Sequence, residues 1–166
     1  MEEYLQLFDE NRVEVDEKIE RHNKANIKKG RHYMVVLIFM ENEKGEFLLQ
    51  KTSKNRGSII ATTGGHVTYQ DTSLETVIKE CKEELGLDIN KDELVFVGTN
   101  KYEDAFEDVY YTNKKIDIDK LVLQKEEVDD INWYSVKEIK ELINKKEFRE
   151  GNIDAFDKVL EYRSMN

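Results

Sequence analysis

The sequence predicts an α/β protein, an α/β/α sandwich with a mixed central sheet, and three observations carry that expectation. Residues 33–40 form a continuous apolar run rich in β-branched side chains, too short for a buried helix and therefore a central strand. One amphipathic helix follows over residues 73–85, and two more are expected near the carboxy terminus. Strands, helix, strands and helices in that order suit a sheet covered on both faces.

A length of 166 residues with 39% apolar content fits one domain, divided here into an amino-terminal ribbon and loop (1–31), a core (32–144) and a carboxy-terminal helix (145–166). In the first part, Leu5, Leu7 and Phe8 precede Asp9-Glu10-Asn11, and Val13, Val15 and Ile19 follow, which reads as a hairpin or edge ribbon. A loop or short helix is expected over 21–31. In the core, 42–45 is a turn and 47–49 returns as a strand, so 33–49 is expected to be a hairpin. Strands at 94–97 and 109–112 should pair around an acidic turn running from Glu103-Asp104 to Glu107-Asp108, and 128–134 supplies a further strand containing Trp133. Ser135 with Glu138 is a capping box opening a helix to about residue 144, and Ile153, Phe156, Val159 and Leu160 mark the last helix.

The net charge of -10 argues against an extended nucleic-acid interface, because a phosphate backbone would be repelled. A small ligand is the expected partner, with a metal bridging it if it is anionic. The single cysteine, Cys81, points to a reducing compartment, and the first residues carry no basic segment ahead of an apolar run. With no apolar stretch long enough to span a membrane, the expectation is a cytoplasmic protein without a membrane partner.

The chemistry is concentrated in residues 65–87. On a helical wheel Leu74, Val77, Ile78, Cys81 and Leu85 form an apolar stripe, while Glu80, Glu83 and Glu84 share a separate flank at spacing i, i+3, i+4. Each like-charge pair costs roughly 0.2–0.5 kcal/mol, and the negative end of the helix dipole adds to the repulsion. A hard cation such as Mg²⁺ would convert that repulsion into coordination. The helix has written ends: Thr72 with Glu75 is a capping box, and Gly86 stands at a left-handed stop with Leu87 as its apolar partner. Upstream, Gly64-Gly65 forms a turn that permits close approach of backbone to a ligand or metal.

These residues resemble the Nudix box. Gly65, Glu80, Glu83, Glu84, Gly86 and Leu87 match the family pattern strictly, and Asp71, Lys79 and Cys81 stand where the family has glutamate, arginine and a bulky aliphatic residue. The resemblance covers residues 33–142 and implies the Nudix fold. It also implies divalent-metal-dependent hydrolysis, with Mg²⁺ or Mn²⁺, of a diphosphate bond in a nucleoside diphosphate linked to another moiety. By that likeness Glu80, Glu83 and Glu84 are metal ligands and catalytic residues, with the Gly65 carbonyl as a further ligand. Glu127, in the loop before the Trp133 strand, is preferred over Glu126 as general base, with Glu103 and Glu107 in reserve. If Lys79 and Asp71 brace the loop against the helix, a lysine does so more loosely than an arginine.

The basic segment 51–58 offers Lys51 and Arg56 to substrate phosphate, and His66 lies in the turn near the site. The amino-terminal segment with Gly-Arg-His-Tyr-Met also resembles the isopentenyl-diphosphate isomerase branch, in which His32 and His66 would hold a metal. Gly64 occupies that branch's acid/base cysteine position, which favours hydrolysis. A ligand-binding module without catalysis is the third reading, and a homodimer is open because this fold often pairs.

Overall fold

The structure, a computed structural model, describes residues 2–166. Its centre is β3 (Tyr33–Met40), which pairs antiparallel with β6 (Thr63–His66) on one side and parallel with β8 (Ala105–Thr112) on the other. Adding β7 (Val95–Lys101) gives a mixed four-stranded sheet in the order β6-β3-β8-β7. A second, antiparallel sheet is ordered β5-β4-β9, from Ile60–Ala61, Phe47–Thr52 and Val128–Tyr134.

Strand alternation divides the interior into two halves. Met34, Val36, Ile38 and Met40 of β3 join Val77, Cys81 and Leu85 of α1 (Ser73–Leu85), whereas Leu37 and Phe39 join Ile139 of α2 (Val136–Asn144) and Phe156 and Val159 of α3 (Ile153–Ser164). Both faces of β3 are covered, which explains its unbroken apolar run. This is the expected α/β/α sandwich.

Both helix stops and starts follow the sequence signals. Ser135 and Glu138 form the reciprocal capping box. Thr72 Oγ1 accepts from the Glu75 amide at 3.1 Å but donates to the Glu75 carboxylate, so that box closes through side chains. Gly86 adopts φ 65°, and its amide bonds the Cys81 and Lys82 carbonyls.

Three expectations are corrected. β3 and β4 are joined by the turn at Asn42 but do not pair as a hairpin: β3 already has β6 and β8 on its two edges, so β4 peels away to the second sheet. Glu107 and Asp108 lie inside β8, both buried, rather than in the acidic turn. Leu74 is 36% exposed, because the buried stripe of α1 is turned to run through Thr76, Val77, Cys81, Glu84 and Leu85.

The amino-terminal ribbon is built into the molecule. β1 (Tyr4–Phe8) pairs with β2 (Glu14–Glu20), Leu5 is fully buried, and the β1 backbone bonds Val67, Tyr69 and His32. Arg12, in the hairpin turn at φ 65°, reaches across to the fully buried Asp108, which also accepts from Thr99 at 2.8 Å. A short 3-10 helix, Arg21–Asn26, leads from β2 towards β3. Among the described residues no helix is long and apolar enough to cross a membrane.

Removing Arg12 leaves the Asp108 carboxylate buried with only a hydroxyl partner. Arg12→Ala is expected to destabilise the fold by about 2 kcal/mol, below the usual range for a broken buried pair because Arg12 is itself partly solvated. Urea denaturation followed by circular dichroism checks this, with Arg12→Lys expected to recover part of the loss.

Candidate active site

A cleft of about 520 Å³ opens where α1, β6, the amino-terminal 3-10 helix and the loops before β9 and α3 meet. One wall carries Glu80, Glu83, Glu84 and Glu127, and around it stand Arg56, Arg149, Lys24, Arg21 and Lys79. Acidic and basic side chains therefore share a space large enough for a small ligand.

The three helix carboxylates have different environments. Glu84 is turned inwards at position i+3 from Cys81, its Oε1 accepting from Gln50 Nε2 at 3.0 Å and its Oε2 lying 3.2 Å from Arg56 Nη1. Burial raises its carboxyl above the usual range, while the Gln50 and Arg56 contacts oppose that rise. Glu80 has no such partner. Burial together with the neighbouring Glu84 and Glu83 carboxylates pushes its carboxyl up to about 8. Glu83 is exposed at the cleft edge.

Gly64 and Gly65, expected in a turn, lie instead in β6, paired with Leu37 and Val36 of β3, and Gly65 is where that strand meets α1. A Cβ there would lie 2.5 Å from Glu80 Oε1, so only glycine lets this carboxyl lie against the β6 backbone. The brace between loop and helix is loose, Lys79 Nζ standing 3.9 Å from Asp71 Oδ2, and Asp71 is also held by the Thr68 hydroxyl at 2.6 Å.

Arg56 links the elements of the wall. Besides Glu84, its Nε lies 3.1 Å from Glu127 Oε2, which fixes the loop before β9 beside the helix. Its own carbonyl accepts from Arg149 Nη2 at 2.8 Å. Glu126 does not line the cleft; its carbonyl accepts from the Ser53 hydroxyl. His66 faces Tyr33, with ring centroids 5.7 Å apart, and burial with the nearby Lys24, Arg21 and Arg56 charges lowers its imidazole to about 3.

Gly65, His66, Arg56, Glu80, Glu83, Glu84 and Glu127 are thus brought together, and Lys51 is not. Alternation along β4 directs Leu48 and Gln50 towards α1 and leaves Lys51 exposed on the other face, opposite Ile60 and Asp130. Gln50, one residue earlier, is buried and bonds Glu84 without lining the cleft. The histidine pair is also separated: His32 stacks on Phe106 in the α1-side core, while Tyr33, the next residue, carries His66 on the opposite face. His22 is exposed beside Glu20. Glu107 does line the cleft, held by Asn100 at 3.0 Å, whereas Glu103 does not.

Lys24, Arg149 and Asn152 line the cleft and Gln50 supports Glu84 from within the core, and none of the four was anticipated from the sequence. Each lies on a segment far from residues 65–87 in the chain, and only the alternation of β4 offered a signal, for Gln50.

Among the described residues no three Asp, Glu, His or Cys side chains converge as a finished metal cage. Magnesium does not require one, since it commonly takes one or two carboxylates and completes its shell with water and substrate phosphate. Glu80 and Glu83 offer that donor set. The close approach permitted by Gly65 and the like-charge pressure on Glu80 fit a cation there.

Fold and cleft together define a class of protein, a mixed-sheet α/β/α enzyme whose acidic helix faces a basic ligand cleft. The NUDIX domain model matches residues 31–157, and the chain belongs to the Nudix hydrolase family. It is 29% identical to an uncharacterized Nudix hydrolase of Listeria innocua over 123 residues, covering 72% of this chain and 73% of that protein. A Clostridium acetobutylicum relative, also an uncharacterized Nudix hydrolase, is 28% identical over 163 residues, covering 87% of this chain and 76% of its own length. Among solved structures, a Deinococcus radiodurans protein superposes with a TM-score of 0.75 at 20% identity, over 91% of this chain and 94% of that one. An Ap4A hydrolase of C. elegans gives 0.58 at 17% identity, over 80% and 99%.

Arg56→Ala removes the cation shared by Glu84 and Glu127 and is expected to lower stability by about 2 kcal/mol. Lys51→Ala, outside the cleft, should stay within about 0.5 kcal/mol of the parent. Guanidinium unfolding midpoints of the two variants test the placement; equal midpoints would contradict it.

Proposed function

We propose that this protein hydrolyses the diphosphate bond of a nucleoside diphosphate linked to another moiety, using Mg²⁺ or Mn²⁺. The observation that carries the reading is the meeting, in one cleft, of the unpartnered Glu80 and Glu83 carboxylates with Arg56 and Arg149. Carboxylates alone would repel a diphosphate, and basic side chains alone would bind it without chemistry.

When bound at Glu80 and Glu83, a divalent cation supplies Lewis-acid polarisation of a phosphoryl oxygen and neutralises developing charge. Arg56 and Arg149 orient the diphosphate, and His66, kept neutral, offers a hydrogen bond without adding charge. Glu84 acts on the site through its place in the wall, holding Arg56 in register. Glu127 accepts a proton from the attacking water as its oxygen bonds to phosphorus. The bond from phosphorus to the bridging oxygen breaks, and each half leaves with a phosphate terminus.

Space for the linked moiety continues beyond Tyr33, Val35, Glu107 and Gly151. There a second hollow of about 550 Å³ is lined by Tyr102, Asp104, Glu150 and Asp154. Its tyrosines can stack on a planar group, and its carboxylates can accept hydrogen bonds from one.

The two phosphate-terminated products are to be measured, as inorganic phosphate liberated by an added phosphomonoesterase, over a panel of nucleoside diphosphate derivatives. Activity should vanish with chelator and return with Mg²⁺ or Mn²⁺, and Glu83→Gln should lose several orders of magnitude in turnover while keeping the parent's melting temperature. A Glu83→Gln enzyme with unchanged turnover would contradict the assignment. Glu127→Gln should lower kcat far more than it changes KM.

A further inference from the structure

We propose that Lys24 is a phosphate-binding residue, brought to the cleft by the amino-terminal segment that precedes the family-matched residues 31–157. The inference deepens the proposed function and rests on it for the substrate class.

Hydrogen bonds hold the segment that carries Lys24 in place. The Glu20 carboxylate accepts from the His22 amide and caps the 3-10 helix Arg21–Asn26, and the Arg21 amide bonds the Glu3 carbonyl at 2.8 Å. β2 is fixed to β1, whose Gln6 amide and Tyr4 carbonyl bond Val67 and Tyr69 on the segment between β6 and α1. The helix carrying Lys24 is therefore tied to the segment that directly follows β6, the strand that carries Gly65.

The chemistry of Lys24 is unbalanced. Its amine lies 3.0 Å from His66 Nε2 and 5.0 Å from the centre of the Tyr33 ring. An ammonium has only donors, so Nε2 is the acceptor and His66 is the neutral tautomer with its proton on Nδ1. Among the described residues no carboxylate pairs with this amine: Arg21 pairs with Glu3, and Arg56 with Glu84 and Glu127. Asp104 acts on it only at longer range, and Arg21 repels it.

A half-buried ammonium held by a neutral ring, with another cation beside it, is poorly compensated. Its two remaining N–H groups can be satisfied by an anion entering the cleft. Phosphate oxygens, already attracted by Arg56 and Arg149, provide both the charge and the acceptors.

The test titrates methylenediphosphonate, which cannot be hydrolysed, into the full chain by calorimetry, in Mg²⁺ and in chelator. Lys24→Met should weaken binding roughly tenfold or more, the scale of one charge-assisted hydrogen bond, and Lys24→Arg should restore most of it. In the hydrolysis assay Lys24→Met should raise KM by a similar factor with kcat little changed. Equal affinity of Lys24→Met and parent, or loss in Lys24→Arg as complete as in Lys24→Met, would overturn the proposal, as would a parent that binds the probe under neither condition. Because the probe is not turned over, a failed hydrolysis assignment and a failed Lys24 assignment give different results.

Discussion

Three carboxylates crowd the last turns of α1, and the molecule depends on how that repulsion is divided. Glu84 is drawn inwards and bonded by Gln50 and Arg56, which partly compensates its charge and joins α1 to β4. Glu80 and Glu83 keep their charge pressure and face the cleft. Arg56, by also engaging Glu127, sets the loop before β9 at the same wall. One ion-pair network thus fixes three elements that the chain order keeps apart.

The core serves that arrangement. β3, covered on both faces, is the fixed reference for β6, and β6 carries Gly65 against Glu80. The helix cannot rotate to relieve its carboxylates without withdrawing Val77, Cys81 and Leu85 from the core. At about 25 cal/mol per Å² of apolar surface, losing those contacts would cost several kcal/mol, well above the few tenths per like-charge pair. Packing holds the charges in place.

The legible parts of the sequence were those with local causes. The apolar run of β3, the Ser135–Glu138 box, the Gly86 stop and the spacing of the glutamates each state their structure within a few residues. What could not be read depends on contacts distant in the chain. Glu84 was indistinguishable from Glu80 and Glu83 in the sequence because its bonding partners, Gln50 and Arg56, lie roughly 30 positions away. Glu107 and Asp108 resembled a turn because their partners, Asn100 for one and Arg12 with Thr99 for the other, are invisible to local pattern. The choice of Lys51 failed on a single step of strand alternation, which leaves Lys51 exposed on the far face and turns the preceding residue, Gln50, onto Glu84.

The central claim is that Glu80 and Glu83 face the cleft as a cation site while Glu84 is satisfied within the protein. Isothermal titration of Mn²⁺ into the parent and into Glu80→Gln measures it directly. The account predicts binding to the parent and at least tenfold weaker binding to Glu80→Gln, with the fold of both intact. Equal Mn²⁺ affinity in the two proteins would contradict it.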